Sequence, residues 1–237
     1  MAAAFVLIHG AWHGGWCWKF VAPALRRAGH EVYAPSLTGM GERKHLARFG
    51  IDLSTHIEDV VSLMDMEDLS EVVLVGHSYG GMVVTGAAER SERVGKLVYL
   101  DAVVPEDGKS MLDYVVPERG ARMREEGVKT GFVTAPPFSL FGITRAEHLD
   151  FIKPRAVRQP YATMSQPIRI GNPQRLARLP KTYIYCSSPA TGTFDAFAAK
   201  YRNDPAWRFD EMKTGHDAMI LAPDELTALL LQTAKRA

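Results

Sequence analysis

Ser78 stands in the stretch VVLVGHSYGGMVV, flanked by Gly76 and Gly80 in a Gly-x-Ser-x-Gly pattern. An apolar β-branched run leads into the pattern and a helical run leads out of it, the context in which such a serine serves as a nucleophile. So tight a turn needs glycine where a side chain would meet neighbouring backbone. It leaves the hydroxyl exposed, with the positive end of the following helix behind it. A hydroxyl is a weak nucleophile, so this chemistry also requires a general base and donors for the oxyanion that forms on attack.

The base is expected late in the chain. Of eight histidines, His216 in EMKTGHDAMILAPDEL lies after the last predicted strand, beside Gly215 and ahead of the closing helix. His9 and His77 sit in glycine-flanked turns and read as structural hydrogen-bonding groups, whereas His13, His30, His45, His56 and His148 have no motif around them. One oxyanion donor is expected from the N–H of the residue after the nucleophile, Tyr79. The loop HGAWHGGWCW, directly after the first predicted strand, offers the N–H of Ala11 as the second. Trp12, Trp16 and Trp18 are near enough in sequence to wall a pocket there, or to pack in the core.

The elements that must hold these groups are legible in the hydrophobic pattern. Compact apolar runs at Phe5 to Ile8, Glu31 to Ala34, Val72 to Val75 and Leu97 to Leu100 suit strands buried on both faces. Trp18 to Ala28, Ser54 to Met66 and Met82 to Arg90 carry apolar residues at helical spacing between them. Repeated βα order predicts an α/β fold, a parallel sheet covered by helices on both sides. Strands resume at Thr182 to Cys186 and Trp207 to Glu211, and a helix at Pro223 to Lys235 closes the chain. Pro223 suits a first turn, and Asp224 and Glu225 favour its positive end. Between Ala102 and Pro180 the rhythm fails: prolines crowd the segment, short amphipathic pieces recur, and no strand is predicted. The expected organisation is therefore a core of residues 1–101 and 181–237, with 102–180 as an inserted, mainly helical cap.

Composition narrows the functional classes. A chain of 237 residues, 46% hydrophobic and 23% charged, can bury one sizeable core. Its formal net charge of +1 carries no polyanion-binding signature. The basic residues of Arg119 to Lys129 and Arg169 to Lys181 are interspersed with glutamates or apolar residues, as on solvated helix faces, so no nucleic-acid partner is expected. No apolar run reaches membrane-spanning length, and MAAAFVLIHG lacks a basic region ahead of its apolar run. It reads as a core strand, and the cytoplasm is the expected compartment. Cys17 and Cys186 are isolated, without the spacing of a zinc site or a disulfide framework.

LIHGAWHGGWCW, VGHSYGGMV, LVYLDAVVPEDG and TGHDAMILAP together resemble the α/β-hydrolase fold. Within it they are similar to the group of plant methylesterases, hydroxynitrile lyases and related bacterial esterases. The resemblance covers nearly the whole chain and is loosest in the cap. It implies an eight-stranded, mostly parallel sheet and hydrolysis of esters of small acids without a metal or organic cofactor.

A serine triad also needs a carboxylate to hold the histidine tautomer. In most members of the fold it follows the strand assigned here to Thr182 to Cys186, but IYCSSPATGTFD offers only Ser187, Ser188 and Pro189 at that place. Asp195 comes later, where a helix is expected to begin, and Asp217 adjoins His216, so its side chain is expected to point away. Asp101, at the end of KLVYLD one strand beyond the nucleophile strand, is the preferred candidate. Some members of the fold, haloalkane dehalogenases among them, carry their acid there, and sites gather at the carboxyl ends of parallel strands.

The leading expectation is a serine carboxylesterase acting on a small ester, with an aromatic acyl group or a carbamate-type methyl ester among the options. Ser78, His216 and Asp101 would form the triad, Ala11 and Tyr79 the oxyanion hole, and Trp12, Phe132 and Phe138 parts of an apolar pocket, with Phe141 and Tyr161 nearby in the cap. A hydroxynitrile lyase is a rival. The plant lyases place a lysine near the histidine, whereas here Asp217 follows it, and a negative charge would oppose a departing cyanide. A non-catalytic ligand receptor is the third reading. SLTGMGERKHL is expected to form a surface loop in which Glu42 and Arg43 meet each other or the cap. Oligomeric state is open, a homodimer included.

Overall fold

The computed structural model describes residues 2–235. In chain order the elements are β1 (Ala4–Ile8), α1 (Ala22–Arg27), β2 (Glu31–Tyr33), α2 (Leu53–Met66), β3 (Val72–His77), α3 (Gly80–Arg90) and β4 (Val94–Leu100). There follow α4 (Pro117–Thr130), β5 (Phe132–Val133), α5 (Ala146–Ile152), β6 (Gln159–Pro160), α6 (Tyr161–Ser165) and α7 (Pro173–Arg178). The chain then forms β7 (Lys181–Cys186), α8 (Asp195–Tyr201), β8 (Trp207–Met212), α9 (Ala218–Leu221) and α10 (Pro223–Lys235).

Every residue of β3 is buried, so each of its valines contributes about 1.5 to 3 kcal/mol of apolar burial. That is why the run is continuous and not alternating. The central sheet has the order β2-β1-β3-β4-β7-β8, and each of its neighbouring pairs is parallel. Among the described residues it has six strands, not the eight that the resemblance implied, because the other two strands pair with each other elsewhere. The chain steps from β1 outward to β2, then back across to β3. The carboxyl ends of β1 and β3 thus flank the point where the winding reverses, the place where open α/β sheets leave a crevice. The loop carrying Ala11 and the turn carrying Ser78 both open there.

Two local expectations need correction. The run from Trp18 to Ala28 is not one helix: a 3₁₀ turn at Gly15–Trp18 precedes α1. Pro23 lies in the first turn of α1, where its missing N–H is harmless, but in the interior of a longer helix its ring would clash with the preceding turn. In the segment after β4, β5 and β6 form a two-residue antiparallel pair where no strand was expected.

Residues 102–180 otherwise consist of the 14-residue helix α4, shorter helices and turns. α4 buries Met123, and it stops at Gly131, whose φ of 76° a left-handed cap requires. Three hydrogen bonds dock this segment on the β1 loop: the Trp12 indole N–H donates to the Val133 carbonyl at 3.0 Å, the Trp12 backbone N–H to Gln159 Oε1 at 3.1 Å, and the Val157 N–H to the Trp12 carbonyl at 3.0 Å. No helix among the described residues is long and apolar enough to cross a membrane.

Candidate active site

Ser78 has φ 56°, a left-handed value unusual for a residue with a side chain and of order 1–3 kcal/mol unfavourable. Hydrogen bonds on both sides hold it there. Its N–H donates to the Leu100 carbonyl at 3.2 Å, and its own carbonyl accepts from the N–H groups of Gly81 and Val103 at 3.1 and 3.2 Å. A Cβ on Gly76 would lie 2.7 Å from the Gly80 carbonyl oxygen, and one on Gly80 would lie 2.9 Å from the His9 carbonyl oxygen. The glycines flanking the serine are therefore the condition for β3, α3 and the β1 loop to approach one another.

Asp101, directly after β4, has φ 40° and is 1% exposed. Its Oδ2 accepts from His216 Nδ1 at 2.6 Å, and its Oδ1 accepts from the Cys186 N–H at 3.2 Å. Burial pushes the carboxyl up from its ordinary value, and the bonds from His216 and Cys186 counter that rise. With Nδ1–H committed to the carboxylate, Nε2 is the nitrogen left to exchange a proton. Ser78 and His216 line one cavity together with Ala11 and Trp12. Among the described residues no hydrogen bond joins Ser78 to His216, a contact that commonly tightens only when substrate binds.

The imidazole of His216 is held between rings. Phe194 stacks on it at 5.0 Å between centroids, Phe141 tilts against it at 5.1 Å and His77 lies at 4.4 Å. The His216 N–H donates to the Phe141 carbonyl at 3.0 Å, and a Cβ on Gly215 would run into that carbonyl. His77 Nε2–H donates to the His216 carbonyl at 3.1 Å; burial above all, then the nearby His216, keeps its pKa well below the ordinary histidine value, so it is neutral.

Neither of the other acids approaches His216 Nδ1 in this way. Asp195 opens α8 and accepts from the Tyr185 hydroxyl at 2.9 Å. Asp217, fully buried, accepts from His13 Nε2 at 3.0 Å, and its Oδ1 lies 3.7 Å from His77 Nε2. Its carboxylate faces His13 and His77 and is not among the groups that line the cavity. Ligand atoms of His77, His216 and Asp217 lie within 4.8 Å of one another, and each side chain also serves a protein hydrogen bond.

The N–H groups of Ala11 and Tyr79 have no protein acceptor among the described residues. The Tyr79 side chain turns away from the cavity, its hydroxyl bonded to His56 Nδ1 at 3.0 Å. His56 Nε2 in turn donates to the Thr38 carbonyl at 2.9 Å, and burial lowers this histidine to about 4. His13 and His56 are thus interior groups, although neither stands in a recognisable motif.

Of the expected pocket residues, Trp12 lines the cavity, with φ 65° and its ring stacked 6.0 Å from Phe141. Phe132 and Phe138 do not line it. Phe132 packs against Phe49 and beneath the Arg158 guanidinium, 4.7 Å from its ring centre, and Phe138 lies behind Phe141. Tyr161 packs on Gly127, away from the cavity. The walls instead come from Phe141 and Phe194, from methionines at 111, 123 and 164, and from Arg119. Arg119 reaches Thr193 Oγ1 at 3.4 Å and lies partly in apolar surroundings, which lowers its pKa. Phe141 is among the aromatic cap residues expected near the pocket; the sequence pattern does not reveal which face of a cap element will overlie Ser78, so no signal marks the others. Glu42 and Arg43 do not pair with each other. Glu42 accepts from Ser36 Oγ at 2.6 Å, and Arg43 Nη1 lies 3.6 Å from Asp59.

A sequence model of the alpha/beta hydrolase family matches residues 5–229. The chain is 39% identical over 239 residues to a carbendazim hydrolyzing esterase of Nocardioides sp. (strain SG-4G), covering 96% of this chain and 98% of that protein. It is 29% identical over 254 residues to Methylesterase 3 of Arabidopsis thaliana, covering 98% and 95%. Among solved structures, an extracellular alpha/beta-hydrolase from a Paenibacillus species superposes with a TM-score of 0.85 at 24% identity, covering 99% of this chain and 100% of that one.

Proposed function

The chain belongs to the alpha/beta hydrolase family, and from that premise we propose that it is a serine carboxylesterase cleaving small carboxylic esters through an acyl-enzyme. The observation that carries the reading is the 2.6 Å bond from His216 Nδ1 to Asp101, made at the mouth of a cavity that Ser78 also lines. His216 Nε2 takes the Ser78 proton as Oγ attacks the ester carbonyl, and Asp101 stabilises the imidazolium that results. The N–H groups of Ala11 and Tyr79 hold the oxyanion, where preorganised donors act most strongly because they need no reorientation as charge develops. Collapse of the tetrahedral adduct breaks the bond to the alcohol, which leaves with the proton from His216. Water, deprotonated by the same imidazole, then clears the acyl group from Ser78.

Residues 102–180 act in this reading as the cap that selects the acyl group. An apolar cavity walled by Trp12, Phe141 and Phe194 suits a flat aromatic acyl group, and the similarity to an esterase named for carbendazim supports a carbamate-type methyl ester as one member of that class. The test is release of p-nitrophenol from short-chain p-nitrophenyl esters by the wild-type protein and by Ser78→Ala. Turnover that the substitution abolishes is expected. Silence of the wild type across acyl chain lengths would favour a ligand receptor instead.

A further inference from the structure

His13 is buried, and each of its ring nitrogens faces an acceptor. Nδ1 lies 2.7 Å from the Ala11 carbonyl oxygen, which can only accept, so that nitrogen carries hydrogen. Nε2 lies 3.0 Å from Asp217 Oδ2. With one proton on each nitrogen the ring is an imidazolium beside a carboxylate. A further observation favours this ion pair over a neutral one. The Trp16 ring stacks on the imidazole at 5.2 Å, an arrangement suited to a cation. Burial opposes both charges, yet each partner favours the other's charged form, raising His13 and lowering Asp217. The other titratable groups facing the pair are His9 and Cys17 from the β1 loop, His77 from the end of β3, Cys186 from the end of β7, and His216.

The pair joins two loops that are far apart in sequence. Ala11, whose carbonyl His13 holds, presents its N–H to the cavity from the β1 loop, and Asp217 is bonded in the chain to His216. The peptide after Ala11 is fixed from its other side too, because the Trp12 N–H donates to buried Gln159 Oε1 at 3.1 Å. We propose that His13 and Asp217 form a charged latch that holds the Ala11 N–H donor in register with His216, two positioning residues for the ester cleavage proposed above, on which this inference rests.

The experiment compares His13→Gln, Asp217→Asn and the double variant, each with its active sites counted by a fluorophosphonate that labels Ser78. Loss of register at a group acting only on the transition state should lower kcat per labelled site by about 10²-fold with KM little changed. The double variant should be no slower than the slower single one, because both substitutions open the same latch. A kcat per labelled site within twofold of wild type in the single variants would overturn the proposal, as a pair with only a folding role would reduce the number of labelled sites and not their turnover. A measurement on the wild-type protein needs no variant to fold: ¹⁵N shifts of the His13 ring at pH 7 are expected to show both nitrogens protonated, and a neutral ring would equally overturn it. Failure of the wild type to label at all would instead remove the nucleophile reading.

Discussion

His216 Nδ1 and Asp101 Oδ2 meet at 2.6 Å although 115 positions separate them, and the strand carrying the acid lies beside the strand carrying Ser78. The turn after β7, where the resemblance led one to look for a carboxylate, still takes part. Its Cys186 N–H bonds the same carboxylate, and its Ser187 and Ser188 N–H groups bond the Met212 and Thr214 carbonyls that lead to His216.

Replacing Asp101 with Asn should leave the shape of the site and misorient the imidazole. A fall in kcat on the order of 10⁴ is expected with an aryl ester, by analogy with other triads. Asp195→Asn should change kcat little. Near-full activity in Asp101→Asn would remove Asp101 from the mechanism.

Gly80→Ala tests the elbow. Its new methyl group would meet backbone of the β1 loop, which cannot swing aside as a side chain can. Overpacking of this kind costs roughly 1–3 kcal/mol, read as a lower urea midpoint at constant slope. Activity should fall further than stability, since the displaced backbone is that of the oxyanion loop. A variant as stable and active as wild type would contradict the packing described.

Arg119 brings guanidinium donors to an otherwise mainly apolar cavity, and among the described residues it makes one long side-chain hydrogen bond, to Thr193 at 3.4 Å. Esters whose acyl portion carries a hydrogen-bond acceptor should lose roughly 10- to 100-fold in kcat/KM on Arg119→Met, the range for a bond to a charged group. Esters with plain hydrocarbon acyl groups should be nearly unaffected. Equal losses for both kinds would show that Arg119 only shapes the cap.

The His13 and Asp217 pair also makes a prediction about stability. Asp217 is lowered from 3.8, so its contribution is present above that value and lost as pH falls through the folded value; His13 is raised from 6.5, so its contribution is present below 6.5 and lost as pH rises through the folded value. Urea unfolding of wild type and Asp217→Asn should differ most between about pH 4 and 6.5, and the difference should shrink at higher pH. The lowered pKa of His56, about 4, destabilises both proteins alike in acid and cancels in that comparison, whereas His9 and His77 face the pair and respond to its charge. A difference that is flat across the range would show that the pair carries no charge.

The sequence by itself determined the parallel sheet, the serine elbow and the late histidine. Each is a local pattern: a continuous apolar run buried on both faces, two glycines where backbones converge, a histidine in a glycine loop before the last helix. It also narrowed the acid to three aspartates, because the chain order of strands restricts which loops reach the site. Only the tertiary structure separates them by what they face: Asp101 meets His216 Nδ1, Asp195 the Tyr185 hydroxyl and Asp217 the His13 ring, differences that no local pattern carries. The same holds for the pocket walls. Phe132 and Phe194 are alike as residues, yet one packs on Phe49 and the other on His216, because the placement of short strands and turns is set by docking against distant elements. His13 had no motif, and its partner lies 204 positions away, so its charge is a property of the fold alone.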